Sequence, residues 1–157
     1  RDSDLHEGSL PDDAPQLDGV HHLKLPVRDL ERSRRWYESR LGYVAYHEFV
    51  EDDRLVGLAL GHPNGGPRLA LRLDPERAEA AAGFDFFAIG VPSAEALTEL
   101  TNRFNRLGDR NPGVVRGSQG WALPHVKDPD GHVWEIAYNP YWTVTDDGQT
   151  VLGDGRG

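Results

Sequence analysis

The stretches that decide the fold are VHHLKLPVRDL, residues 20–30, and FDFFAIGVPSA, residues 84–94. They start about 64 residues apart, and each alternates apolar residues before a residue that caps helices, Asp29 or Ser93. A helical apolar pattern follows each cap and ends at a glycine, Gly42 or Gly108. An internal repeat of this kind predicts two similar modules with one ligand site between them.

The repeat also predicts how the whole chain is organised. Three strand candidates follow each of the two helices, so each module reads βαβββ and the chain belongs to the α+β class. The predicted divisions are an acidic flexible arm at 1–18, a first module at 19–74, a linker helix at 75–83, a second module at 84–138 and a C-terminal tail at 139–157.

Composition excludes several classes of function. The formal charge of -9 and the pI near 5.1 argue against a nucleic-acid partner, because no basic run is present to meet phosphates. The sequence has no cysteine, which excludes disulfides and thiolate chemistry. No apolar run reaches about 20 residues and no signal-peptide pattern opens the chain, so we expect no membrane partner and a cytoplasmic location.

Strand alternation separates candidate site residues from core residues in the first strand of each module. His22 and Lys24 lie on the face opposite to the helix, while the mostly apolar set beginning at His21 faces the helix. In the second module Phe84 and Phe86 occupy the face that corresponds to His22 and Lys24. These two aromatic rings would line the ligand site.

The last two strands of the second module add further candidates. Glu135 faces away from the helix, between Val133 and Ala137 on the same face. Trp121 and His125 share a face of the preceding strand, which lines the site in one of its registers. The predicted ligand-binding residues are therefore Lys24, Phe84, Phe86, Trp121 and His125.

Two motifs resemble those of the vicinal-oxygen-chelate superfamily, which includes glyoxalases, bleomycin-resistance proteins and extradiol dioxygenases. The opening motif is HLKLPVRDL at 22–30, with Trp36-Tyr37 and Leu41-Gly42 after it, and the closing motif is DPDGHVWE at 128–135. The resemblance covers residues 19–138. It implies that the sheets of the two βαβββ modules curl into a cup of mixed strands that takes a small organic molecule, and that the chain forms a homodimer.

The resemblance also implies a metal site in the cup. Metal-using members would hold a divalent cation (Zn, Mn, Fe or Ni) at positions that fall here on His22, Phe86 and Glu135, with Leu71 as the fourth. Phe86 has no ligating atom, which departs from the family pattern. His125, His47 or Glu48 are the candidates that would complete the shell.

The closing motif and the register of the first module carry further expectations. Asp128-Pro129-Asp130-Gly131 is interpreted as a turn, and His132 as a structural residue on the helix-facing side. If Leu71 faces the cup, Arg72 falls on the helix side, which is unfavourable for arginine. A slip of one residue would place Arg72 in the cup as an anion-binding group.

Two functions remain open from the sequence. The first is a metal-dependent lyase, isomerase or dioxygenase with His22 and Glu135 as catalytic residues, or a metal-free variant in which Glu135 orients His22 as general base. The second is a metal-free protein that sequesters an antibiotic, as bleomycin-resistance proteins do. In that case the acidic surface attracts a cationic drug and Phe84 and Phe86 stack against it.

Overall fold

The computed structural model describes residues 13–117 and 120–140, with only the backbone of 142–144 and 150–152, and leaves the side chains of residues 85 and 86 outside this description. The elements of the first half are β1 Leu23–Val27, α1 Leu30–Leu41, β2 Val44–Glu51, β3 Arg54–Gly61, β4 Leu69–Leu73 and α2 Pro75–Ala81. Those of the second half are β5 Asp85–Gly90, α3 Ala94–Arg106, β6 Val115–Gly117, β7 Gly120–Lys127, β8 Val133–Tyr138, β9 Trp142–Val144 and β10 Thr150–Leu152.

The strands form two four-stranded mixed sheets, ordered β1-β4-β3-β2 and β5-β8-β7-β6. In each sheet the first strand of the module pairs in parallel with the last, and the remaining pairs are antiparallel. This confirms the α+β class and the twofold βαβββ plan. In the described part of the chain the two sheets are not joined by strand pairing.

Each helix begins at a residue whose side chain caps it. The Asp29 carboxylate accepts the backbone N–H of Arg32, and Gly42 ends α1 with a left-handed φ of 80°. The Ser93 hydroxyl caps α3 through Ala96, and the Asp74 carboxylate caps α2. None of the helices in the described segments is both long and apolar enough to cross a bilayer.

One face of each sheet packs against a helix and forms the core. Leu25, Leu58 and Leu71 oppose one another across three strands of the first sheet, and each is 2% exposed or less. Trp134 and Ile136 take the same role in the second sheet. The opposite face of each sheet, here called the open face, carries polar residues such as Lys24 and Glu135 together with small residues such as Gly57 and Ala59.

The register of the first module corrects one expectation. Leu71 lies in the core under α1, and Arg72 lies on the open face, as the one-residue slip requires. Lys24 pairs with Ala70 while Ala88 pairs with Glu135, so the counterpart of Glu135 is Ala70 and not Leu71. The repeat spacing therefore changes by one residue between the first and last strands of the modules.

The first strand is shorter than predicted from the sequence. We expected it to begin at Val20, but β1 begins at Leu23, whose N–H donates to the carbonyl of Arg68 at 2.9 Å. The partner strand β4 extends back only to Leu69, next to the turn that ends at Pro67, and proline has no N–H for a ladder. His22 consequently precedes the strand.

Two smaller differences concern the second half of the chain. The helical apolar pattern that ends at Gly108 includes Leu107, but this residue lies just after α3 and is 43% exposed. The tail contains the antiparallel pair β9 and β10, where no strand was expected. Residues 1–12 of the predicted arm lie outside the described residues.

A close backbone approach predicts that Gly57→Ala destabilises the protein. A Cβ at Gly57 would lie 2.9 Å from the Leu71 carbonyl oxygen and 3.3 Å from the Phe49 ring. We expect a loss of about 1–3 kcal/mol in the free energy of unfolding, measured by urea denaturation. Gly117→Ala is the matched control, because a Cβ there meets nothing within 4 Å. Equal stability of the two variants would contradict the packing.

Candidate functional site

The turn between β7 and β8 contains two buried carboxylates, Asp128 and Asp130, that each accept four hydrogen bonds. Asp128 is 5% exposed, and its Oδ1 accepts the backbone N–H groups of Asp130 and His132, each at 2.9 Å. Its Oδ2 accepts the hydroxyl of Tyr37 at 2.5 Å and lies 2.7 Å from Nδ1 of His132. Tyr37 belongs to α1, so this carboxylate links the two modules.

A second carboxylate of the same turn is held by the beginning of the first module's helix. Asp130 is 2% exposed, and its Oδ1 accepts the Arg28 backbone N–H at 3.0 Å. The same oxygen lies 3.3 Å from guanidinium nitrogens of both Arg28 and Arg32. The Ser33 hydroxyl donates to Oδ2 at 3.2 Å. Two arginines thus compensate one buried negative charge.

Asp128, Asp130 and His132 are residue types that bind metals, but their hydrogen bonds do not fit a metal site. Asp128, Asp130 and His132 offer ligand atoms that all lie within 4.8 Å of one another. A carboxylate has about four lone-pair sites, and all four of Asp128 are already used by protein donors. A cation there would have to displace buried donors. We interpret the group as a structural tie, here called the turn knot.

Burial of Tyr37 in the turn knot changes its acidity. Removal from water raises the pKa of the Tyr37 hydroxyl well above its ordinary value, and the negative charge of Asp128 raises it further. Trp134 Nε1 donates to the same hydroxyl at 3.0 Å. The phenol is therefore a neutral donor to Asp128 and an acceptor from Trp134 at the pH at which proteins function.

We expect Tyr37→Phe to reduce the free energy of unfolding by about 1–3 kcal/mol, because Asp128 and Trp134 each lose a buried hydrogen-bond partner. Tyr46→Phe is the control, since Tyr46 is 58% exposed. The raised pKa adds a pH signature: the unfolded state ionises Tyr37 above about pH 10 and the folded state does not, so stability falls as pH rises further. Urea denaturation at several pH values should show a shallower alkaline fall in Tyr37→Phe than in the parent.

The open face of the first sheet carries two rows of residues. Strand pairing aligns the first row as Lys24, Ala70, Ala59 and His47. It aligns the second row as Pro26, Arg72, Gly57 and Phe49. The His47 and Phe49 rings meet edge to face, with centroids 4.6 Å apart. Cationic residues thus lie toward one edge of this face and aromatic residues toward the other.

The open face of the second sheet carries Glu135, which is half-buried. Its neighbours in sequence, Trp134 and Ile136, are both in the core, so Glu135 points to the other side. Trp134 pairs with Val126 and Ile136 with Leu123, and the register shifts between these two pairs. Glu135 therefore lies opposite an irregularity in β7.

That irregularity is a β-bulge formed by Pro124 and His125. His125 is exposed and has a φ of 60°, in the left-handed region that non-glycine residues rarely adopt. Bulges of this kind redirect a side chain and occur frequently beside functional sites. Among the side chains that the structure describes, neither Glu135 nor His125 has a hydrogen-bond or ion-pair partner.

The remaining predicted site residues are distributed differently. His22 is exposed and lies 2.8 Å from His21 through their Nδ1 atoms; within the described residues no hydrogen bond or ion pair joins it to Glu135. Phe84 is 62% exposed, directly before β5. The side chain of Phe86 lies outside the described residues. Lys24 is exposed on the open face of the first sheet.

Trp121 does not share the open face with His125. It opposes Tyr138 and stacks on it with ring centroids 5.9 Å apart, on the side that packs against the core. The Arg116 guanidinium lies 5.2 Å from the centre of the Trp121 ring. The bulge explains the difference, because it breaks the alternation that would have put Trp121 and His125 on one face.

Sequence reasoning missed the residues of the turn knot on the first helix. Ser33 and Tyr37 lie on the buried stripe of α1, where a polar group needs a partner. That requirement, together with the two aspartates of the turn, was the signal in the sequence for these contacts. The pattern did not show that the partner would come from the other module.

A protein-family model described as Glyoxalase/Bleomycin resistance protein/Dioxygenase superfamily matches residues 19–136. Lactoylglutathione lyase of Haemophilus influenzae is 27% identical over 125 residues, which cover 76% of this chain and 92% of that protein. A probable chloroplastic lactoylglutathione lyase of Arabidopsis thaliana is 23% identical over 120 residues. This alignment covers 73% of the chain but only 34% of the Arabidopsis protein.

Solved structures share the fold. A glyoxylase/bleomycin resistance protein/dioxygenase domain from Frankia sp. EAN1pec superposes with a TM-score of 0.65 at 26% identity, covering 79% of this chain and 93% of that one. A glyoxalase-related enzyme from Fulvimarina pelagi gives a TM-score of 0.64 at 25% identity, covering 87% and 99%.

Proposed function

Because this chain belongs to the glyoxalase/bleomycin resistance protein/dioxygenase superfamily, we propose that it is an enzyme that shifts a proton within a small carbonyl compound bound at its open faces. Glu135 acts as the base and His125 as the acid. The family membership agrees with the resemblance that the two sequence motifs indicated. The reaction and its residues are supported by the local geometry of the second sheet.

The observation that carries this proposal is the bulge opposite Glu135. A half-buried carboxylate without a described partner is costly, and a histidine in a left-handed conformation adds strain at the same place. Strain and desolvation that accumulate at one point of a regular sheet are typical of functional sites. The rest of this face offers small residues, Ala88 and Ala137, beside Glu135.

The chemistry that these two groups support is an isomerisation. A Glu135 oxygen takes the proton from a carbon next to a carbonyl, and the electron pair of that C–H bond moves into the carbonyl to give an enolate. His125 delivers a proton to the developing oxyanion. Glu135 then returns its proton to the former carbonyl carbon. The hydroxyl on the carbon first deprotonated becomes the new carbonyl and gives its proton to His125, so the substrate and both residues regain their original proton counts.

The donor set for a divalent cation is incomplete within one chain. A catalytic cation is usually held by at least three protein ligands, whereas the expected positions supply His22 and Glu135, and Phe86 supplies none. Of the described residues, His22, His125 and Glu135 do not form a group whose ligand atoms converge. We therefore derive no catalytic step through a metal.

Sequestration of a ligand without chemistry is the second candidate, and aromatic residues favour it. Phe49 and Phe84 are exposed at 42% and 62%, and a phenylalanine replaces the expected third ligand. Exposed aromatic rings suit stacking on a flat ligand. This candidate predicts tight binding of a cationic aromatic compound and no turnover.

We also propose that the chain forms a homodimer through the first sheet. Among the described residues its outer strand β2 pairs with β3 alone, which leaves an edge of eight residues. Apart from Phe49, which lies on the open face, the exposed large apolar residues of the first sheet are Val44, Tyr46, Val50, Leu55 and Leu73. Unpaired apolar edges of this length are normally covered. Sedimentation velocity should show a dimer at micromolar concentration that Val50→Lys converts to monomer; a monomeric parent would contradict the proposal.

The proposed roles predict the effect of Glu135→Gln and His125→Asn. We expect each variant to lower kcat/KM for conversion of the glutathione–methylglyoxal hemithioacetal to S-lactoylglutathione by about 100-fold or more. Asparagine is chosen because it tolerates the left-handed conformation of residue 125. Glu135→Gln should leave the free energy of unfolding unchanged or raised, since it removes a desolvated charge.

Controls separate the proposal from its alternatives. Glu99→Gln removes an exposed carboxylate from α3 and should retain parental activity. Full activity in Glu135→Gln, or a parent that binds ligands and turns over none, would refute the catalytic assignment. Elemental analysis of protein purified without chelator, repeated for His22→Ala, tests the metal: stoichiometric metal that His22→Ala loses would overturn the metal-free mechanism.

A further inference from the structure

We infer that the open face of the first sheet is a binding site for a small organic carboxylate, recognised by Arg72 and Lys24. The inference rests on the proposed function in one respect: it takes the open faces as the ligand-binding side of the molecule. It adds the charge and class of the ligand and assigns its recognition to the module that does not carry Glu135.

Strand register brings the two cations together. Lys24 pairs with Ala70, and Arg72 lies two residues further along the same strand β4. Two residues of strand and one interstrand spacing separate the Cα atoms by about 8 Å, on the same face. Both side chains are long enough to reach one carboxylate from that separation.

The residues around this pair are small. Across the sheet, Ala70 and Ala59 follow Lys24 in its row, and Gly57 follows Arg72. None of these three carries a side chain beyond Cβ. Glycine suits position 57 because the Leu71 carbonyl and the Phe49 ring lie too close to admit a Cβ. The Phe49 ring therefore lies against Gly57, the residue that pairs with Arg72 on the neighbouring strand.

The Arg72 guanidinium is already arranged to hold a carboxylate. Its NH1 and NH2 bind the two oxygens of Glu51 at 3.1 and 3.2 Å, in the two-point geometry that arginine uses for carboxylate ligands. This hydrogen bond lowers the pKa of Glu51 and raises that of Arg72. Glu51 is thus a carboxylate from the chain itself in the place that a ligand would take.

The pair with Glu51 is weak enough to be exchanged. The side chains of Arg72 and Glu51 are 43% and 61% exposed, and exposed ion pairs contribute little to stability. Glu51 is the last residue of β2, directly before a turn in which Asp52 and Asp53 have φ values of 50° and 59°. A ligand carboxylate that also reaches Lys24 contacts two cations, whereas the described ion pair of Glu51 is with Arg72.

The neighbouring rings indicate the rest of the ligand. Phe49 is 42% exposed and packs edge to face with His47 on the same open face. A planar unsaturated or aromatic group attached to the carboxylate can cover this exposed ring surface. The formal charge of -9 opposes anion binding only weakly, because salt screens charges that lie more than about 10 Å from the bound anion.

The test uses benzoate as the probe, with benzamide as its neutral isostere. Titration of the ¹⁵N-labelled full chain in the presence of EDTA gives a Kd and locates the amides that shift. We expect benzoate to shift amides of β1, β3 and β4, and benzamide to bind about tenfold more weakly or not at all. Shifts confined to the second sheet, or equal binding of both probes, would overturn the inference.

Substitution of Arg72 and substitution of Glu51 should change the affinity for benzoate in opposite directions. Arg72→Met should weaken benzoate binding about tenfold or more, and Arg72→Lys less, whereas Glu51→Gln should strengthen it by up to about fivefold. Arg35→Met removes an arginine from α1 whose side chain is 69% exposed, and it should leave the Kd unchanged. A merely structural ion pair would give the same Kd in all these variants.

This test is independent of the proposed reaction. Glu135→Gln and His125→Asn should retain benzoate binding even though they lose turnover. A parent without turnover that still binds benzoate through Arg72 would refute the reaction and retain the anion site. Turnover by a parent that does not bind benzoate would refute the anion site and retain the reaction.

Discussion

The buried carboxylates of Asp128 and Asp130 are the contact on which the arrangement of the molecule depends. The two sheets are not joined by strand pairing in the described part of the chain, so something else must fix one module against the other. The turn knot does this with donors from the first module's helix and its leading loop. Because the groups are buried, each donor lost would leave an uncompensated polar atom, and the relative position of the modules is therefore well defined.

Much of the fold was predictable because local rules and the repeat agree. Asp29, Ser93 and Gly42 mark the helix ends by capping chemistry that acts within a few residues. The alternation of Glu135 with Trp134 and Ile136 correctly separated open face from core. A fold can be predicted from its sequence when the local signals agree with the overall architecture.

The parts that failed depend on pairing between distant residues. Nothing near Leu71 shows that the repeat spacing changes by one residue, since only the pairing of Lys24 with Ala70 and of Ala88 with Glu135 reveals it. Pro124 indicates an edge or a bulge in this strand, and only the pairing of Leu123 with Ile136 and of Val126 with Trp134 shows that it is a bulge. The partners of the turn knot come from the other module. The sequence therefore predicted which residues share a face of the sheet. Strand register and contacts between distant residues could be found only in the structure.

Separation of the two faces of each sheet has an evolutionary consequence. The side chains that hold the molecule together lie under the helices and in the turn knot, whereas Lys24, His47 and His125 are exposed and contribute little to the core. Replacement of exposed residues in ordinary strand conformations, such as Lys24 and His47, is nearly neutral for folding. New ligand preferences can consequently arise by drift on the open faces without first crossing a barrier of instability, which makes this architecture a permissive starting point for divergence of specificity.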